Sequence, residues 1–161
     1  MGAITRTIAN NLNVGHGNGK IAKISYANPS NYNTTLGYNS TSLTPCGQIT
    51  VTAAFANSHF LITWSAEHYR SGNGRSQWLL ADAYTAGENN YAENRYLMYS
   101  HYGLSHTASA FNQITSFSYY DTSQSLSAGG TVTYYTFLGI IGSGTEDGAT
   151  NQRFQVMEIA Q

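Results

Sequence analysis

The sequence predicts an all-β fold, two antiparallel sheets packed face to face, on three observations. Apolar residues recur at every second position in several stretches, both prolines fall at or before Pro45, and runs of Gly, Asn and Ser separate the stretches. Alternation with period two puts every second side chain on the same face of an extended chain. Proline has no amide hydrogen to give to a ladder, so a long proline-free region suits hydrogen-bonded strands. No stretch carries a convincing helical period.

The elements follow in chain order. Residues 1–45 are rich in Gly, Asn and Ser (GHGNGK, NPSNYN, NSTS) and read as an extended N-terminal arm, with one short strand where apolar residues alternate over 20–26. From residue 46 a single domain is expected. Ile49, Val51, Ala53 and Phe55 alternate with polar neighbours, and Phe60, Ile62, Trp64 and Ala66 repeat the pattern after Asn57 and Ser58, which reads as an antiparallel hairpin of 48–55 with 59–69. RSGNGR then breaks the chain, a further strand runs over 78–84, and others are expected near 94–102, 113–121, 130–141 and 152–160. About eight such strands with polar loops fit a sandwich of jelly-roll type. An immunoglobulin-like sandwich fits less well, because Cys46 is the only cysteine.

Composition narrows the function. Charged residues are 9% of the 161-residue chain, against roughly 25% in ordinary soluble proteins, so Asn, Ser, Thr, Gly and Tyr must face water. A formal charge of −1 gives no basic footprint for a phosphate backbone, and nucleic acid is not an expected partner. No apolar run approaches the ~20 residues that span a bilayer, so membrane insertion is not expected. The N-terminus lacks the apolar core of a secretory signal, which points to synthesis in the cytoplasm. Arg6 stands where N-myristoylation wants Ser or Thr.

Thirteen tyrosines include two adjacent pairs, Tyr119–Tyr120 and Tyr134–Tyr135. In a strand each pair sends one ring inward and one outward, and outward rings are well suited to contact with a partner. The segment TVTYYTFLGII is apolar on both faces, which would leave one face for another copy of the chain. An oligomer interface is therefore expected at Tyr119, Tyr120, Tyr134, Tyr135 and Phe137.

Other candidates are weaker. The five histidines show no metal-ligand spacing, so no metal or other cofactor is expected. GHGNGK departs from a phosphate-binding loop at Val14 and has no Ser or Thr after Lys20. Glu88 and Glu93 are the nearest carboxylate pair for glycoside hydrolysis, but nothing apolar in their loop would raise an acid's pKa, and no catalytic residue is expected. The same loop offers Asn89, Asn90 and Tyr91 as a receptor-contact group, with amides beside an aromatic face. Glu158 is expected to point outward, with Met157 and Ile159 on the core side.

Four segments carry a family resemblance: ITVTAAFANSHFLITWSAEH, RSQWLLAD, SAGGTVTYYTFLG and NQRFQVMEIAQ. They resemble the tumour necrosis factor-like jelly-roll modules of bacteriophage tail-fibre tips, and MGAITRTIANNLN is similar to the start of small virion proteins of aquatic phages. The resemblance covers about two thirds of the chain. It implies a non-enzymatic homotrimer on the virion surface, either a capsid decoration (cement) protein or a tail-fibre tip. Its N-terminal arm would meet another capsid or tail protein, and its loops would meet a host surface glycan. The chain departs from fibre proteins in having no heptad shaft before the module. A stand-alone carbohydrate-binding adhesin is the alternative.

Overall fold

The computed structural model describes residues 20–37, 40–71, 74–88, 96–99, 105–106, 111–141 and 146–161. Ten strands and no helix are found among them: β1 (Lys20–Ala27), β2 (Tyr32–Thr34), β3 (Gly47–Thr52), β4 (His59–Ser71), β5 (Gly74–Ala81), β6 (Tyr96–Tyr99), β7 (Ser105–His106), β8 (Phe111–Asp121), β9 (Thr131–Ile141) and β10 (Glu146–Ala160). They form two five-stranded sheets. The first runs β1-β10-β4-β8 with β2 also on β10; the second runs β3-β9-β5-β6 with β7 also on β5. Every strand pairing is antiparallel. This is the expected jelly-roll sandwich.

Alternation places the core between the sheets. Phe60, Ile62, Trp64 and Ala66 of β4, with Phe154 and Val156 of β10, face Ile49, Val51, Trp78, Leu80, Val132, Tyr134 and Leu138 of the other sheet. The Trp64 and Trp78 rings meet across the gap with centroids 4.4 Å apart. Burying such rings supplies much of the hydrophobic driving force.

Three expectations are corrected. The strands expected as a hairpin, 48–55 and 59–69, lie in different sheets: β3 pairs with β9, whereas β4 pairs with β10 and β8. Alternation reports which face of a strand is apolar, and an arch between facing sheets satisfies it as well as a hairpin does. The stretch between the expected strands 130–141 and 152–160 already belongs to β10 from Glu146 onward. The described part of the expected arm belongs to the body, since β1 and β2 both pair with β10.

Residues 35–37 and 40–46 then lie across the outer face of the second sheet. The Ile140 amide donates to the Leu36 carbonyl at 3.0 Å and the Cys46 amide to Thr136 at 2.8 Å, fixing the two ends of the crossing. Leu43 and Leu36 are thereby laid on Leu79, Ala81 and Phe137, which forms a second small core with Tyr84 and Tyr135. Cys46 is buried at the return point, and burial, against a hydrogen bond to Thr136, pushes its thiol up to about 12. So protonated a thiol is a packing group and a poor nucleophile.

Two features shape the first sheet. Between Thr150 and Arg153 the register of β10 slips by one residue against β4, and Asn151 takes a φ of 50° at the slip. This bulge turns Gln152 inward, where it accepts from Trp64 Nε1 at 3.2 Å and donates to the carbonyls of Ser30 (2.7 Å) and Cys46 (2.8 Å). It also turns Arg153 outward. Further along, Gly148 sits opposite Tyr69, whose ring occupies the space a side chain would need.

Candidate functional site: the outer face of the first sheet

Each expected interface residue has a distinct place. Tyr119 and Tyr120 do point to opposite faces, the first packing against the main core and the second 47% exposed. Tyr134 is wholly buried, and Phe137 is 1% exposed beneath Leu43. Tyr135 is half-buried and packs on Tyr84, with centroids 5.7 Å apart. The second apolar face of β9, expected to be left for another copy, is thus covered around Phe137 by Leu36 and Leu43 of the same chain. Of the expected set, Tyr120 alone contributes a large exposed surface. Asn89, Asn90, Tyr91, Glu93, His16 and His101 lie outside the described residues.

The exposed apolar groups gather instead on the outer face of the first sheet. Register aligns Ile24 (β1), Met157 (β10), Leu61 (β4) and Tyr120 (β8) in one row across all four strands. Ile21, Ile159 and His59 form the next row, and the Tyr120 hydroxyl lies 2.9 Å from His59 Nδ1. Ile21, Ile24 and Tyr120 are among the large hydrophobic residues most exposed in the described structure. Contiguous exposed apolar rows with polar surroundings are a common mark of protein contact.

Beyond the apolar row the character of the face changes. Tyr26, Gln155, Thr63 and Ser118 make the next row, followed by Arg153, Ser65 and Ser116. These residues line an open groove of about 420 Å³.

Three buried polar arrangements escaped the sequence reading. Glu158 does not face outward: it is buried, accepting from the Ala54 amide at 2.8 and 2.9 Å, the Phe55 amide at 3.0 Å and the Ser58 hydroxyl at 2.7 Å. The β3–β4 arch supplies this donor set, and the bulge at Asn151 sets the parity that aims the carboxylate at it. His68, Ser76 and Asp147 meet in the core, with Ser76 Oγ 3.1 Å and Asp147 Oδ1 3.3 Å from His68 Nε2. Both reach the same ring nitrogen and all three are fully buried, so this trio lacks the relay geometry of a nucleophilic triad. Among the described residues no cluster of three His, Cys, Asp or Glu could hold a metal ion.

The third arrangement centres on Asp121. Burial alone would raise its carboxyl, but the Ser123 hydroxyl and amide, Gln124 and the Tyr134 hydroxyl hold it below the ordinary carboxylate range. The same pairing, together with burial, drives the Tyr134 hydroxyl far above its usual value. A carboxyl depressed in the folded state adds stability that is present above its unfolded pKa of about 3.9 and is lost as pH falls through the folded value. Asp121→Asn is therefore expected to lower the melting temperature at pH 6, with the difference from wild type shrinking below pH 4. Calorimetry across that range checks it, and a pH-independent difference would contradict the role of charge.

No protein-family model matches the sequence, and no curated protein matches it. One solved structure shares the fold, and others are more distantly similar. The chain superposes on one from infectious bursal disease virus, Gx strain, with a TM-score of 0.50 at 9% identity, covering 84% of this chain and 32% of that one. A chain of the infectious bursal disease virus VP2 subviral particle gives 0.49 at 9% identity, with 84% and 32% covered. Eiger TNF from S. frugiperda gives 0.40 at 9% identity, with 86% and 92% covered. This chain spans about a third of the length of those viral chains. Its sandwich is a fold that also occurs in a virus structure.

Proposed function

We propose that this chain is a non-enzymatic structural subunit of a bacteriophage particle, a homotrimer standing on the virion surface as a capsid decoration protein or tail-fibre tip. The observation that carries the reading is the apolar row Ile24, Met157, Leu61 and Tyr120, left uncovered on a chain with very few charged residues. A surface of neutral hydroxyls and amides needs no ion pairs to associate, and an apolar row gains most by meeting a second copy. The fold shared with a virus structure supports the particle context. A capsid or tail protein would then be met through the N-terminal region, and a host surface through the loops.

The test is sedimentation of the purified chain. A trimer is expected at micromolar concentration and in 1 M salt, because apolar burial is not screened. Ile24→Asp lies on an edge strand at an exposed position, so the fold should tolerate it while the trimer weakens at least tenfold. A monomeric wild type, or an unchanged trimer in the variant, would refute the assembly.

A further inference from the structure

The groove beside the apolar row has the chemistry of a saccharide site, and its charge selects among saccharides. Tyr26 stands at one side with its ring 69% exposed and engaged by no other ring among the described residues. Thr63, Ser65, Ser116 and Ser118 cover the floor with hydroxyls, and Gln155 adds an amide. None of these groups is held by a side-chain hydrogen bond among the described residues, so their donors and acceptors are available to a ligand. Strand spacing of about 4.8 Å and a two-residue repeat of about 6.8 Å spread them over an area suited to one or two pyranose rings. An aromatic face packs on the apolar C–H side of such a ring, while hydroxyls and amides replace the water around its edge.

Arg153 adds the selection. It lines the groove, and it forms no salt bridge with any described residue. No carboxylate lines the groove, so a cation stands alone against neutral groups. Its position is built: the bulge at Asn151 reverses the parity of β10, and Gln152 anchors that bulge through bonds to Trp64, Ser30 and Cys46. A guanidinium presented on this face can match a carboxylate with two parallel hydrogen bonds.

We infer that the groove framed by Tyr26 and Arg153 binds a carboxylate-bearing saccharide, with the sugar ring on Tyr26 and its carboxylate on Arg153. The inference is independent of the particle reading, since it needs no second copy of the chain.

Titration calorimetry on the full chain tests it, with trigalacturonate and 3′-sialyllactose as probes and maltotriose and lactose as their neutral counterparts. At least one acidic probe should bind, about tenfold or more tighter than its counterpart, as a charge-assisted pair implies. Tyr26→Ala should weaken that binding at least tenfold. Arg153→Gln should bring acidic and neutral probes to within about twofold of each other. Both positions are exposed, so an unchanged melting temperature is expected and separates lost binding from lost folding. Absence of binding by either acidic probe would overturn the site, as would equal binding of acidic and neutral sugars. Binding that survives Tyr26→Ala, or an acidic tetrapeptide binding as tightly as the saccharides, would show non-specific ion pairing and overturn it too.

Discussion

Phe137→Ala is expected to destabilise the folded chain by about 4 kcal/mol, the usual cost of truncating a buried phenylalanine. The ring is enclosed by Leu43, Leu79 and Ala81, with Leu36 and Tyr84 at its margin, so its removal empties a sealed space on the outer side of the second sheet. Urea unfolding should show a lower midpoint with little change in slope, the signature of lost stability with an unaltered unfolded state. A change below about 1 kcal/mol accompanied by loss of assembly would instead put Phe137 at a subunit contact. The variant thus separates two accounts of the doubly apolar strand β9, cover by the chain itself and cover by a sister copy.

Glu158→Ala should cost about 3 kcal/mol, because three donors lose their acceptor at once. Ser58 is fully buried, and water cannot replace the carboxylate there without opening the arch between β3 and β4. Glu158→Gln should cost roughly half as much, since one oxygen remains but the charge is gone and an amide opposes the Ala54 donor. Amide exchange at Ala54 and Phe55 reports the same event locally: both amides should exchange faster in the alanine variant. Wild-type exchange at those amides would mean that the arch does not depend on this carboxylate.

The fold class was legible in the sequence because alternation is a local property. The apolar sets of β3, β4 and β9 could each be read from a few adjacent residues, and they line the core as expected except for Phe55, which lies beyond the end of β3 and is 47% exposed. Pairing is not local. Whether β3 continues into β4 as a hairpin or crosses to the opposite sheet depends on partners about 80 residues away, such as Val132 opposite Val51, and short-range pattern carries no trace of them. The face of Glu158 was misjudged for a related reason: alternation over 152–160 allows either Met157 and Ile159 or Phe154 and Val156 to face the core, and the donors that satisfy a buried Glu158 lie about 100 residues away at Ala54 and Ser58. The groove escaped notice because its residues come from β1, β4, β8 and β10, each unremarkable where it stands in the chain.

The central place of β10 in the first sheet sets the order of events when the chain is made. It joins β1 and β2 on one side to β4 on the other, yet it follows all the other described strands in the chain. Until then β1 has no ladder partner, and β4 is paired only along its β8 edge. Unpaired backbone of β1 and β4 therefore stays open until residues 146–160 arrive, and the sheet closes in that step. Such a molecule should be sensitive to crowding by its own nascent copies, and slowing translation should leave its yield of soluble product no better.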